Sequence, residues 1–214
     1  MKMDSPKSVQ PQEKGDLLYD LVLAQQQDEE EIRDALYQNQ TLENYEGSNM
    51  EFKNCTFRGC QFVDCRMSNF SFMDVVMENC NLSGCELHDL ACQRVRLRGC
   101  KLMGTGLSHS LLQNTAFLGC NLRYARMTDT RLKAVEFDSC TMQEADLSEG
   151  RWQSVEFHDC DLQRIQLLHT PLVGIDLRSC HIEGLRLAVP DLKGAIVTAE
   201  QAIGLASFLG VVIR

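Results

Sequence analysis

The sequence predicts an all-β solenoid whose chain turns every five residues and closes a square coil every twenty, with short helical segments at both ends. Three observations predict it. From Phe52 to Leu192, all 29 positions spaced five apart are apolar: 15 Leu, 7 Phe, 4 Met and one each of Ile, Trp and Cys. The position two before each is also restricted, and 22 of the 29 are Ala, Cys, Ser, Thr, Val or Gly. Seven cysteines, Cys60, Cys80, Cys100, Cys120, Cys140, Cys160 and Cys180, recur at a spacing of 20. Neither the 3.6-residue helix period nor the two-residue strand period produces these patterns.

Two inward residues in every five, one small and one large, leave three positions that are mostly polar. Four such sides close a square, and stacked squares pair as short parallel bridges with a rise of ~4.8 Å per coil. Residues 50–194 then form roughly seven coils, a rod on the order of 35 Å long. The larger residues in the small slot are Met50, Phe70, Leu90, Ile165, Ile175, Leu185 and Pro190.

A solenoid has two open ends that need covers. Residues 1–15 read as a flexible polar tail and 16–40 as a helical cap. Segment 17–36, LLYDLVLAQQQDEEEIRDAL, contains good helix formers without Gly or Pro. Leu17, Leu18, Leu21 and Val22 form one apolar patch, and Ile32, Ala35 and Leu36 another. The β-helix is assigned to 41–194, with Pro190 and Gly194 punctuating its last coil. Residues 195–214 form the C-terminal element. Thr198 and Gln201 make a capping box that opens a short helix, TAEQAIGLASF. The terminal LGVVIR is apolar and β-branched, suiting a final strand or a partner contact.

The stretch FKNCTFRGCQFVDC at 52–65 looks like a cysteine cluster, yet the square coil puts Cys55, Cys60 and Cys65 on three different walls. The ladder cysteines all occupy the small slot, where a thiol packs as a compact apolar group. Neighbours in the ladder have parallel rather than converging Cβ directions, unlike a disulfide pair. The close C-x2–4-C turns of tetrahedral zinc are absent. His88, His109, His158, His169 and His181 form no ligand motif, and most fall at outward positions. There is no GxSxG, P-loop or dinucleotide fingerprint, and Cys92 sits in a large core slot unsuited to a nucleophile. The expectation is a protein that is not an enzyme, with no catalytic residue, cofactor or metal. No run of eighteen apolar residues predicts a membrane span. The first sixteen residues lack an apolar signal core, so a cytoplasmic protein is expected.

The net charge of −9 is unevenly spread. Residues 1–50 carry −7, 51–93 carry −3, 94–134 carry +7, 135–192 carry −7 and 193–214 carry +1. Glu136, Glu156 and Asp176 lie 20 apart, each just before a large core residue, and should stack on one wall. Asp146 and Asp161 hold the equivalent position and are expected on neighbouring walls. Two readings stay open. The carboxylates either satisfy turn amides or, because stacked like charges repel, form an acidic strip for a basic partner surface. The basic segment comprises Arg94, Arg96, Arg98, Lys101, Arg123, Arg126, Arg131 and Lys133. It lacks interleaved aromatics and spreads over several walls, so solvated surface is expected rather than direct nucleic-acid binding.

Segments ADLSE (145–149), CNLSG (80–84), CNLRY (120–124), CDLQR (160–164) and IDLRS (175–179) resemble the pentapeptide-repeat consensus A(D/N)LXX. The resemblance covers about two-thirds of the chain and implies a right-handed quadrilateral β-helix. In size and in its apolar C-terminal segment the chain is similar to the bacterial Qnr-type quinolone-resistance proteins. That resemblance implies a DNA-mimicking rod, dimerised end to end, that binds the type II topoisomerases DNA gyrase or topoisomerase IV. The partner-binding row would be Glu136, Asp146, Glu156, Asp161 and Asp176. The homodimer interface would be Ile203, Leu205, Phe208, Leu209, Val211, Val212 and Ile213. The alternative, of a different class, is a structural or adaptor solenoid that binds another protein.

Overall fold

Left-handed backbone turns the corners of the molecule through most of its length. From Asp34 to Gly174, each fifth residue has a positive φ, and in the early coils most are Asn, Asp or Gly. A short polar side chain or a missing Cβ makes that conformation tolerable. The corner amides are used between coils: Asn44 donates to the Val63 carbonyl at 2.9 Å and Asn79 to that of Arg98 at 2.8 Å. The computed structural model describes residues 3–7, 12–13, 18 and 32–210.

Between corners the chain forms the four-sided parallel β-helix that the five-residue period predicts. The walls are named here by Phe52, Phe57, Phe62 and Met67. Along the first, Phe52, Phe72, Cys92, Leu112, Leu132 and Trp152 are successive register partners. Along the second, the partners are Phe57, Met77, Leu97, Phe117, Phe137 and Phe157. From Ala91 onward these two walls merge into one sheet. Eight-residue strands, Ala91–Arg98, Leu111–Leu118, Arg131–Asp138 and Arg151–His158, continue through the shared corner, bending at its left-handed residue. The Phe62 and Met67 walls, paired as three-residue strands in the early coils, keep single bridges between turns from there on, as in Lys101–Asn121–Thr141–Asp161 and Gly106–Arg126–Asp146–Gln166. Over residues 91–158 half of the square is therefore sheet and half is turn.

The large slot is buried from Phe52 to Leu187, apart from a half-buried Trp152. Phe117, Phe137 and Phe157 stack with centroids 4.9 and 5.1 Å apart and planes inclined by 8°. All eleven cysteines are buried and free. The Sγ of Cys60, Cys80, Cys100, Cys120, Cys140 and Cys160 each donates to a carbonyl 23 residues earlier, at 3.3–3.6 Å. The hydroxyls of Thr105 and Thr170 do the same at 2.8 and 2.9 Å. The small slot thus takes a compact side chain, and a weak donor there satisfies a wall carbonyl. In the large slot, burial pushes the Cys92 thiol up to about 12.

At the N-terminal end the structure departs from two expectations. The segment 16–40 is not helical throughout: Ile32–Arg33 pairs with Phe52–Lys53, and Leu36–Gln38 pairs with Thr56–Arg58. Among the described residues the unbroken solenoid runs from Ile32 rather than from residue 41, because Ile32, Tyr37 and Leu42 continue the series of large residues. Gly47 alone interrupts that series. Tyr45 and Met50, bulky residues in the small slots on either side, are buried there, with Tyr45 Oη donating to Met50 Sδ at 3.0 Å. Strand pairing and burial outweigh the helix propensity of residues 32–36, which is worth a fraction of a kcal/mol per residue. Leu18 is buried, and its N–H donates to Gln40 Oε1 at 2.6 Å. The rest of the expected cap, 16–17 and 19–31, lies outside the described residues. Within the expected flexible tail 1–15, Gln12–Glu13 instead pairs parallel with Ala35–Leu36. Residues 3–7 are also held, by side chains on the solenoid surface.

At the other end, a 3-10 turn spans Val189–Leu192, and Ile196 makes the last bridge, to Asp176. The helix Ala199–Leu205 opens with the expected capping box. Gln201 N–H donates to Thr198 Oγ1 at 3.2 Å, and Thr198 N–H donates to Gln201 Oε1 at 2.9 Å. Gln201 Nε2 also donates to the Leu177 and Cys180 carbonyls, both at 2.8 Å, tying the helix to the last coil. Among the described residues no helix is long and apolar enough to cross a membrane.

Candidate functional site

The outward position just before each large residue behaves differently on the two halves of the square. On the turn walls, where this position is Asn or Asp, its side-chain oxygen accepts the amide two residues on. Asn81 takes Ser83 N–H at 3.1 Å, Asn121 takes that of Arg123 at 3.2 Å, Asp146 that of Ser148 at 3.0 Å and Asp161 that of Gln163 at 3.2 Å. These are Asx turns. Asp176, where the long strands have given way to a turn, does the same for Arg178 at 3.1 Å. The turn-amide reading of Asp146, Asp161 and Asp176 is thus correct.

Glu136 and Glu156 lie within the long strands and have no turn to cap. They are direct register partners, as are Asp138 and His158. Neighbouring strands are ~4.8 Å apart, and like charges directly opposite one another destabilise a sheet. Glu156 meets His158 Nε2 at 3.4 Å and is 60 % exposed at its side chain; Glu136 forms no ion pair among the described residues. In the next coil Arg178 forks onto Asp176, with Nε at 2.9 and 3.1 Å and Nη2 at 2.6 Å. The guanidinium holds the Asp176 carboxyl at about 2.

The five carboxylates do not form one site. Glu136, Glu156 and Asp176 share the Phe57 wall, and Asp161 lies on the adjacent Phe62 wall. Asp146 is on the Met67 wall, opposite rather than neighbouring, because ten residues are two sides of a four-sided coil. Asp138, which the sequence reading passed over, joins the Phe57 row from the position after the large residue.

The basic residues spread over all four walls, and several are spent in ion pairs. Arg94 forks onto Asp74 with Nε at 2.6 Å and Nη2 at 2.7 Å. Arg126 reaches Glu86 two coils away across Gly106, where any Cβ would meet the Glu86 carboxylate. On the Phe57 wall the sign changes along the axis, from Arg96 and Arg98 to Glu136, Asp138 and Glu156.

The C-terminal residues also separate. Ile203 is 59 % exposed, whereas Leu205 and Phe208 pack against the core. Leu209 ends the 3-10 turn Ala206–Leu209, and Val211, Val212 and Ile213 lie outside the described residues. Among the described residues no three or more His, Cys, Asp or Glu side chains are grouped to hold a metal ion.

Fold and surface together define a four-sided repeat solenoid with charge segregated on its sheet half. A profile described as pentapeptide repeats (9 copies) matches residues 51–96, and one described as a pentapeptide repeat region matches 90–167. The chain belongs to the pentapeptide-repeat family. No curated protein matches it by sequence. Among solved structures it is similar to full-length QnrB1, a plasmid-mediated fluoroquinolone resistance protein. Identity there is 17 % and the TM-score 0.33, covering 82 % of this chain and 99 % of that one. It is also similar to HetL, a pentapeptide-repeat protein involved in heterocyst differentiation regulation in the cyanobacterium Nostoc. That match has 14 % identity and a TM-score of 0.31, covering 82 % of this chain and 92 % of HetL.

Proposed function

We propose that this chain is a non-enzymatic binding protein whose Phe57 wall meets a basic, DNA-binding protein surface. The partner proposed is a cytoplasmic type II topoisomerase, DNA gyrase or topoisomerase IV, with the rod standing in for duplex DNA. One observation carries the reading: Glu136 and Glu156 are direct cross-strand partners, an arrangement that lowers stability unless a cation is brought to it. A row of carboxylates ~4.8 Å apart presents regularly repeated negative charge, as one DNA strand does with one phosphate per ~3.4 Å of helix axis. The same field that repels within the row steers a positive cleft toward it. Dimerisation through the C-terminal element, with Ile203 at its exposed surface, would lengthen the rod and repeat the row in a second copy.

The test is gyrase supercoiling with the protein titrated to micromolar concentration, with and without a quinolone. Inhibition of supercoiling or rescue from the drug is expected, and both should disappear in the Glu136→Lys, Glu156→Lys double variant. Absence of both effects in the wild-type protein overturns the topoisomerase reading and favours an adaptor that binds another partner.

A further inference from the structure

Residues 3–7, MDSPK, lie extended along the corner between the Phe52 and Phe57 walls. The corner residues of three successive coils there are Asp74, Arg94 and Asn114. Asn114 Oδ1 accepts the Asp4 N–H at 3.3 Å, and Asp74 Oδ1 accepts the Lys7 N–H at 3.1 Å. The two acceptors are two coils apart, about 9.6 Å at strand spacing. Three residues of extended chain span about 10 Å. The acceptor spacing therefore selects an extended backbone. Pro6 lies between the two bonded amides; it has no N–H to leave unsatisfied and biases Ser5 toward extended geometry.

The contact is built on both sides. Met3 and Pro6 are half-buried, while Asp4, Ser5 and Lys7 face water. Beneath them the outward residues Asp74, Asn114 and Ala116 are only 4, 6 and 2 % exposed. Ser154 and Glu156, at the positions of Asn114 and Ala116 two coils further on, are exposed. Arg94, forked onto Asp74, fixes that carboxylate in place for the Lys7 amide.

One feature of the seat is left incompletely used. Arg96 Nη2 donates to Ser5 Oγ at 3.1 Å, while Arg96 Nε is buried without an acceptor among the described residues. A hydroxyl accepts from one edge of a guanidinium, but a carboxylate can accept from two nitrogens in parallel.

We propose that this corner is a peptide-binding groove for an extended acidic segment of a partner protein, with the chain's own residues 3–7 as a weaker occupant in cis. Asp74 and Asn114 bind the peptide backbone at positions three residues apart. Arg96 reads the residue at the Ser5 place and prefers Glu or Asp there. The groove is independent of the acidic row, which lies further along the rod and has the opposite sign.

Two measurements on the full-length chain test this. Trypsin cleavage after Lys7, followed by mass spectrometry, reports release of the strap. Ser5→Glu should slow cleavage about tenfold, the effect of one added charge-assisted bond of ~1.4 kcal/mol, and Asn114→Ala should speed it. Second, Met3, Asp4, Ser5, Pro6 and Lys7 are all replaced by glycine to empty the seat. Labelled peptides of residues 1–10 are then titrated and followed by fluorescence anisotropy. The Ser5→Glu peptide should bind about tenfold more tightly than the unaltered one, and Arg96→Ala in the emptied chain should erase that preference. The wild-type chain, its seat occupied in cis, should bind both peptides more weakly than the emptied chain and should still prefer the Ser5→Glu peptide. Equal affinity for the two peptides, no binding by the emptied chain, or stronger binding of a duplex oligonucleotide than of the acidic peptide overturns the proposal.

Discussion

The sheet half and the turn half of the square coil follow one inward code with two different backbones. On both halves a small and a large residue point inward in every five, and the core does not distinguish them. Outward they diverge. On the turn walls an Asn or Asp before the large residue is occupied by its own chain, as Asp161 is by the Gln163 amide. On the sheet walls the strands exchange their amides with neighbouring coils, so Glu136 and Glu156 cap no turn, and Glu156 has only the exposed His158 contact. The difference teaches that an acidic residue in this repeat says little about binding until its wall is known. Carboxylates identical in repeat position are a turn cap in one place and an unneutralised charge in another.

The comparison can be broken at several strengths. The largest effect is expected in the shared core. Phe137→Ala opens the stacked Phe117–Phe137–Phe157 ladder and should lower unfolding free energy by about 3–5 kcal/mol in urea titrations. Leu122→Ala, in a fully buried large slot on a turn wall, should fall in a similar range of about 2–5 kcal/mol. A far smaller loss at either site would mean that the two halves do not share one core.

Next come the turn carboxylates. Asp161 accepts the Gln163 amide at 3.2 Å and Gln143 Nε2 at 2.6 Å, so Asp161→Ala should destabilise by about 1–2 kcal/mol. The corner carboxylate Asp74 gives a pH signature. Its pKa is lowered, first by the Arg94 hydrogen bonds and then by the Lys7 amide, against an opposing effect of burial. A lowered carboxyl adds stability above its unfolded value, near 3.9, and loses it as pH falls through the folded value. Thermal melts should therefore show an acid-side loss below about pH 4 that is smaller in Asp74→Asn. An equal loss in that variant would remove Asp74 from the account. The smallest change is expected on the sheet wall. Glu156→Gln should leave stability unchanged or raise it by about 0.2–1 kcal/mol, by relieving repulsion from Glu136.

The five-residue period made the core legible, because burial of one large side chain per wall leaves no freedom in spacing. Its beginning was hidden by Gly47, where the bulk moves to Tyr45 and Met50 and the series appears to stop. The division into sheet and turn halves was not legible from the inward code, since both backbones bury the same residues. A partial signal existed in the outward positions: Asn or Asp stands at 81, 121, 146 and 161, whereas Arg or Glu stands at 96, 136 and 156. The strap was invisible for a different reason. Its bonds join residues 110 and 67 apart in sequence through single side-chain oxygens, a relation that no local pattern encodes.

The central claim is that free charge on the sheet wall, and not the acidic repeat positions as a class, recognises the partner. The most direct measurement is the gyrase supercoiling titration run on two double variants, Glu136→Gln with Glu156→Gln and Asp146→Asn with Asp161→Asn. The account predicts that the first pair abolishes the wild-type effect while remaining folded, and that the second pair keeps it. Equal loss in both pairs, or loss in the second alone, would contradict the account.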